Sequence, residues 1–210
     1  MIQIRPSLLA ANPINLEHDI EDMLSLGLNA FHIDMLDYQF APNFGLSIDC
    51  CRSILKRFPN VHLDVHLMMN PTPIHIIESL LEIGIQDISI HLDTLSDTDR
   101  EKCLSLKDVN IRIAVRPEEP LDHYQMYPRL LLLAVSPGFS GQRMESSVLD
   151  KALAAHKLGI DVLLDGGINL STIQSVMQAK PNTIVIGGGL VQQPKEQQVK
   201  LLNQIKDLQG

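Results

Sequence analysis

The sequence predicts an α/β protein, a compact (β/α)8 TIM barrel with residues 1–210 as a single domain. Three observations predict it. Strand-sized, β-rich runs recur eight times, and segments with helical spacing lie between them. The first run is not followed by the Gly-x-Gly-x-x-Gly turn that marks an open dinucleotide-binding sheet. Eight units in 210 residues leave about 26 residues for each, close to the minimum for a strand, a helix and their loops. No linker, low-complexity tract or charge block interrupts the pattern.

The runs fall at 2–7, 30–34, 61–67, 87–91, 111–115, 130–135, 161–165 and 183–187. Several are almost continuously apolar, as strands covered on both faces are. Leu16, Ile20, Met23 and Leu24 have helical spacing after the first run, and Ile74, Ile77, Leu80 and Leu81 after the third. Val148, Leu149, Ala152 and Ala155 repeat it after the sixth, and Val199, Leu202 and Ile205 after the eighth. Pro13 and Pro194 stand just ahead of the first and last of these segments, where proline favours a helix start. Cys50 and Cys51 begin or lie in a helix and read as buried small apolar residues.

Composition narrows the function classes. The chain is 45% hydrophobic and 20% charged, with 17 Lys and Arg against 25 Asp and Glu, a net charge of −8. An acidic balance with 4% aromatics argues against sequence-independent nucleic-acid binding, which needs a basic surface and stacking rings. No apolar run approaches the roughly 20 residues of a membrane span, and the strand-like opening Met-Ile-Gln-Ile predicts no signal peptide. Three cysteines, Cys50, Cys51 and Cys103, make no disulfide framework and fit a reducing cytoplasm.

In such a barrel the functional edge is the C-terminal end of the strands. The expected strands end there on Ser7, on His32-Ile33-Asp34, on His66, on His91 and on Asp165. His32 and Asp34, two residues apart, point to one face, the barrel interior. Taken alone they read as a hydrogen-bonded core pair. With His66 and Asp165 added, four nitrogen and oxygen donors share one rim, which is difficult to satisfy without a cation. Two imidazoles and two carboxylates suit one divalent ion, Zn, Fe(II), Mn or Co, and spacing does not choose among them. His62 shares the parity of Asp64 and His66 but reads as structural, at the other end of its strand. His91 reads equally as a ligand, a supporting residue or a substrate contact, and His18, His75, His123 and His156 as surface residues.

Glycine, at 12 residues, is not enriched, but it is placed. Pro137-Gly138-Phe139-Ser140-Gly141, Asp165-Gly166-Gly167 and Gly187-Gly188-Gly189 follow the sixth, seventh and eighth strands. A single Gly-Gly is usually a tight turn. Three clusters at consecutive strand ends predict a phosphate site built from backbone N–H groups. The loop around Phe139 reads as a lid.

These motifs resemble the ribulose-phosphate 3-epimerase family, from Pro6 to about Val191. The resemblance is carried by Pro6-Ser7-Leu8-Leu9-Ala10, His32-Ile33-Asp34-Met35-Leu36-Asp37, Phe40-Ala41-Pro42-Asn43, Asp64-Val65-His66-Leu67-Met68, Pro137-Gly138-Phe139-Ser140-Gly141-Gln142 and Asp165-Gly166-Gly167-Ile168. It implies a metal-dependent barrel enzyme that inverts C3 of a ketopentose 5-phosphate, linking D-ribulose and D-xylulose 5-phosphates. It further implies His32, Asp34, His66 and Asp165 as metal ligands, with Asp34 and Asp165 also the acid/base pair. Ser7 and His66 would contact substrate, and Gly138, Phe139, Ser140, Gly141, Gly166, Gly167, Gly187 and Gly188 would hold its phosphate.

The chemistry of the residues agrees, because inverting a carbon beside a carbonyl removes a proton from one face and returns one to the other. The chain departs from the family pattern at Leu36, at Tyr38, at Arg116-Pro117-Glu118-Glu119-Pro120, at Ser140 and at Gly188. Tyr38 and Arg116 are the residues expected to reshape the pocket. Two alternatives follow: the same chemistry on another ketose phosphate such as allulose 6-phosphate, or a non-catalytic phosphate-binding relative. Tyr38, Phe40 and Phe44 are expected to cluster, either as a contact in a homo-oligomer or as a cap on the barrel.

Overall fold

The computed structural model describes residues 2–209. Among them, eight strands form one parallel sheet: β1 (Gln3–Pro6), β2 (Ala30–Leu36), β3 (His62–Met68), β4 (Asp87–Ile90), β5 (Asn110–Val115), β6 (Arg129–Leu133), β7 (Asp161–Asp165) and β8 (Thr183–Ile186). These are the eight runs expected, with ends shifted by at most two residues. β1 pairs with β8, and the order runs on through β7, β6, β5, β4 and β3 to β2. A parallel bridge between Ser7 and His32 brings the two edges together, so the barrel's seam lies between β1 and β2.

Among the described residues, seven α-helices pack outside: α1 (Leu16–Ser25), α2 (Ile48–Arg57), α3 (Ile74–Glu82), α4 (Asp97–Leu104), α5 (Ser147–Lys157), α6 (Ile173–Gln178) and α7 (Lys195–Asp207). Three of the expected spacings turn inward: Ile20 and Met23 of α1, Ile77 and Leu80 of α3, and Val148, Ala152 and Ala155 of α5 are buried. In α7 only Ile205 of the expected three is buried; Val199 is exposed, and Gln198 and Leu201 face the core instead. The fifth unit departs from the eightfold repeat. Between β5 and β6 the described chain makes a 3-10 turn at Leu121–His123 and no α-helix. Pro117, Pro120 and Pro128 in that short segment remove the amide donors a helix would need. Cys51 is buried as expected, but Cys50 is only half-buried, and all three thiols are free. No helix among the described residues is long and apolar enough to cross a membrane.

The barrel interior is divided lengthwise. Period-two alternation turns Arg5 and Ser7 of the first strand's run, His32 and Asp34 of β2, Asp64 and His66 of β3, and Ser89 of β4 inward, all buried. The opposite wall is apolar: Ala114 of β5, Leu131 and Leu133 of β6, Leu163 of β7 and Val185 of β8 form one buried cluster, separate from the larger core under the helices. This apolar wall supplies the burial that offsets a charged one. Truncating its centre, Leu131→Ala, should lower unfolding free energy by about 2–5 kcal/mol in a denaturant titration, because barrel strands cannot collapse into the void.

Candidate active site

The sheet register assembles four donors. Asp34 lies beside His66 and His32 beside Asp64 in the β2–β3 ladder, while Asp165 ends β7. One ligand atom from each of His32, Asp34, His66 and Asp165 lies within 4.8 Å of all the others. His32 Nε2 is 3.3 Å from Asp34 Oδ1 and 3.9 Å from Asp165 Oδ2. His66 Nδ1 is 3.5 Å from the same Asp34 oxygen. Both nitrogens are fully buried, and neither makes a hydrogen bond. Orphaned buried nitrogens are costly. Here both face two carboxylates, so the donor set and its missing partners fit one divalent cation.

Residues to which the motifs assign no supporting role hold this cluster. His32 Nδ1 sits 2.8 Å from Asp64 Oδ2, and Asp64 Oδ1 pairs at 3.2 Å with the buried guanidinium of Arg5. A carboxylate behind a ligating imidazole fixes its tautomer and leaves the other nitrogen as an acceptor. Ser7 Oγ donates to Asp34 Oδ2 at 2.9 Å across the seam, fixing that carboxylate's rotamer. The one sequence signal for Arg5 was its inward parity with Ser7, alternating with the apolar Ile2, Ile4 and Pro6. Asp64 carried the same signal, the parity it shares with His66, but its partner His32 is set only by the strand register. His62, at the other end of β3, pairs with Asp87 at 2.6 Å and takes no part in the cluster, as expected.

The two cavity-lining carboxylates are driven apart electrostatically. Burial alone would raise Asp34, but the neighbouring His32 and His66 hold it far below the usual carboxylate range. Asp165 is pushed up to about 7, chiefly by burial, against an opposing pull from His32, with the charges of Asp34 and then Asp64 adding smaller upward pushes. Burial opposes a charge on His32, yet Asp64 and then Asp34 raise it well above its ordinary value. Without a cation, the cluster therefore pairs an ionised Asp34 with an Asp165 that still holds part of its proton near neutral pH.

Above the cluster lies a cavity of about 510 Å³ lined by Ser7, Asp34, Asp165 and the glycine loops. Gly138, Phe139, Ser140, Gly141, Gly166, Gly167, Gly187 and Gly188 all reach its wall. His66, expected to touch substrate as well as metal, is instead fully buried behind the wall with His32. Gly166 and Gly167 take φ of 113° and 67°, and a Cβ there would lie 2.6 Å from Val135 and 2.5 Å from the Met144 backbone. The amides of Gly166, Gly167, Gly188 and Gly189 donate to no backbone partner among the described residues. No Lys or Arg among the described residues lines the cavity, so an anion there would rely on these N–H groups.

Gln193 Nε2 donates to the Gly188 carbonyl at 2.7 Å, which turns the Gly189 N–H the opposite way, and Gln192 Nε2 donates to the Ala10 carbonyl at 3.0 Å. Neither glutamine belongs to a recognisable motif. Over the mouth, Asn43 Nδ2 donates to the Gly138 carbonyl at 2.8 Å, joining the loops after β2 and β6.

Two expected pocket residues lie elsewhere. Tyr38 is 63% exposed and stacks on Phe44, and Arg116 is ion-paired to Asp93 and Glu119; neither lines the cavity. The expected aromatic cluster splits, because Phe40 packs inward on His91 instead. Leu36 is buried against Ala41 and Met68.

A barrel whose mouth joins buried acid/base groups to a cavity ringed by free amides defines the protein as a barrel enzyme. The solved structure of phosphoribosyl anthranilate isomerase from Thermus thermophilus shares the fold, with a TM-score of 0.73 at 17% identity over 99% of this chain and 100% of that one. A model described as the ribulose-phosphate 3 epimerase family matches residues 3–191, and the chain belongs to that family. It is 29% identical to the cytoplasmic isoform of ribulose-phosphate 3-epimerase of Oryza sativa over 90% of this chain and 86% of the relative. Identity to the ribulose-phosphate 3-epimerase of Bacillus subtilis is also 29%, covering 90% of this chain and 92% of the relative.

The perturbed groups set how the metal-free protein responds to pH. With its value raised in the fold, Asp165 favours the folded state while it is protonated, and that contribution is lost as pH rises from the usual carboxylate value through about 7. The raised His32 acts in the same sense, whereas the lowered Asp34 matters only in acid. Burial lowers His66 and His91, which act in the opposite sense, so the Asp165 contribution is read by difference: between about pH 5 and pH 8 the thermal midpoint of chelator-treated wild type should fall relative to that of Asp165→Asn. A variant whose midpoint ran parallel to that of wild type would contradict the assignment.

Proposed function

We propose that the protein is a metal-dependent 3-epimerase that interconverts D-ribulose 5-phosphate and D-xylulose 5-phosphate. The observation that carries this reading is the pair of carboxylates, Asp34 on β2 and Asp165 on β7, which reach one cavity floor from different sides and differ in their hold on a proton. The ionised Asp34 takes the C3 proton from one face of the sugar. Asp165 then returns a proton to the other face, leaving a cis-enediolate between the two transfers. In the reverse direction the carboxylates exchange roles. Ser7, bonded to Asp34 Oδ2, keeps that carboxylate aimed into the cavity.

His32, Asp34, His66 and Asp165 would hold the divalent ion, Zn, Fe(II), Mn or Co. When bound, it supplies positive charge beside the oxygens on which negative charge develops. The free amides of Gly166, Gly167, Gly188 and Gly189 hold the phosphate, so binding energy remote from C3 orients the reacting carbon. Free thiols at Cys50, Cys51 and Cys103 support a reducing, cytoplasmic setting, and the exposed Tyr38–Phe44 pair is the surface that supports self-association.

Incubation in D2O with each candidate sugar tests the reading. Deuterium should enter C3 of ribulose 5-phosphate. Exchange confined to a six-carbon ketose phosphate would reassign the substrate, and no exchange with any sugar would leave a phosphate-binding relative. Asp34→Asn and Asp165→Asn should each slow exchange by about 10²–10⁴-fold, the usual contribution of a positioned acid or base. Turnover near the wild-type rate in either would refute the two-carboxylate mechanism.

A further inference from the structure

Behind the candidate metal site, His66 meets a second imidazole. The geometry points to that partner, His91, as a positioning residue that decides which nitrogen of His66 carries the proton, with Phe40 and Arg116 clamping it in place. The inference rests on the metal reading above and adds to it residues that hold no ligand themselves.

The two ligand histidines are supported differently. His32 leans on Asp64, a carboxylate bound to Arg5, which can only accept. Its Nδ1 proton is therefore committed to Asp64, so Nε2 is the nitrogen that a cation would take. His66 leans instead on His91, Nε2 to Nε2 at 3.0 Å. A nitrogen–nitrogen hydrogen bond holds one proton, so one ring gives and the other takes, and an imidazole can do either.

When His91 gives, the proton of His66 sits on Nδ1, 3.5 Å from the Asp34 carboxylate. That arrangement suits the cluster without a cation, because an N–H rather than a lone pair then faces negative charge. When His66 gives, its Nδ1 presents a lone pair to the cluster, the only form that ligates a cation. His91 then carries its own proton on Nδ1, a buried atom with no partner. Uptake of the metal therefore reverses the His66–His91 hydrogen bond, and the cation's bond to His66 offsets the orphaned N–H.

The reversal requires rings that stay in contact while their protons move. His91 is fully buried, with the Phe40 ring 4.8 Å from its own. The Arg116 guanidinium lies over Phe40 at 5.2 Å and is tied to Asp93 at 3.0 Å and to Glu119 at 3.6 Å. Lys151 donates to the Glu119 carbonyl at 2.6 Å and to that of Pro117, fixing the loop that carries Arg116. Arg116, which departs from the family pattern yet lies off the cavity wall, thus finds a role behind the site.

Ring ¹H–¹⁵N correlation spectra of labelled protein at one pH, before and after one equivalent of zinc, test this. Zinc should move the His66 proton from Nδ1 to Nε2 and the His91 proton from Nε2 to Nδ1. Zinc affinity gives a second readout. His91→Leu, which offers no acceptor, should bind about 10–100-fold more weakly. His91→Gln, whose amide can turn to give or take, should stay within about threefold of wild type. Arg116→Ala should weaken zinc binding by only a few-fold, with Arg116→Lys restoring it. Zinc bound by wild type with both protons unmoved, or bound equally by His91→Leu, would overturn the inference and leave the metal reading intact. Wild type that takes up no zinc would overturn both. Should His91→Leu not fold, the wild-type spectra decide alone.

Discussion

The ion pair between Arg5 and Asp64, 3.2 Å apart inside the barrel, is the contact on which the site depends. A carboxylate this deeply buried would not stay ionised without a cation beside it. Ionised, Asp64 accepts from His32, and His32 then directs its free nitrogen at Asp34 and Asp165. The pair also spans the barrel's weakest join. β1 and β2 meet through one backbone bridge, and Arg5 on β1 reaches past that seam to Asp64 on β3. Seam closure and ligand orientation are one arrangement, which accounts for a permanent charge in the middle of a hydrophobic fold.

The division of the interior follows from the same constraint. A cluster of buried charges needs dense packing opposite, because water entering there would screen the interactions that set its protonation. Leu131, Leu133, Leu163 and Val185 provide that packing on the far wall. Asp165 stands at the boundary, at the end of an apolar strand but facing the charged side, and this placement pushes it up to about 7 while Asp34 stays ionised. The glycine loops do a separate job above this layer. They carry no fixed charge and offer amides, so an anion can be held without adding a cation that would disturb the carboxylates below.

Legibility in the sequence followed the range of the interactions. The eight strands were readable because apolar runs and turn residues are local signals. The four candidate ligands were readable because each ends a strand and the ends of a parallel barrel share one rim. The missing fifth helix was signalled by its prolines, but the eightfold count obscured it. Tyr38 and Arg116 stand in loops beside the site in sequence, and nothing local shows that one turns to solvent while the other backs onto Phe40. The aromatic trio at 38, 40 and 44 divided for the same reason, since a loop has no fixed period to assign its faces.

By itself, the sequence determined the barrel, the inward parity of His32 and Asp34, the glycine-rich strand ends and the family resemblance, all properties of neighbours along the chain. Only the tertiary structure decided that Asp64 stands behind His32, that His91 stands behind His66, that Gln193 turns the Gly188 peptide, and that Asp34 gives up its proton more readily than Asp165. The physical reason is that register, burial and electrostatic coupling belong to pairs of distant residues. A strand pattern shows which side a residue faces, but only the closed barrel shows what it meets there.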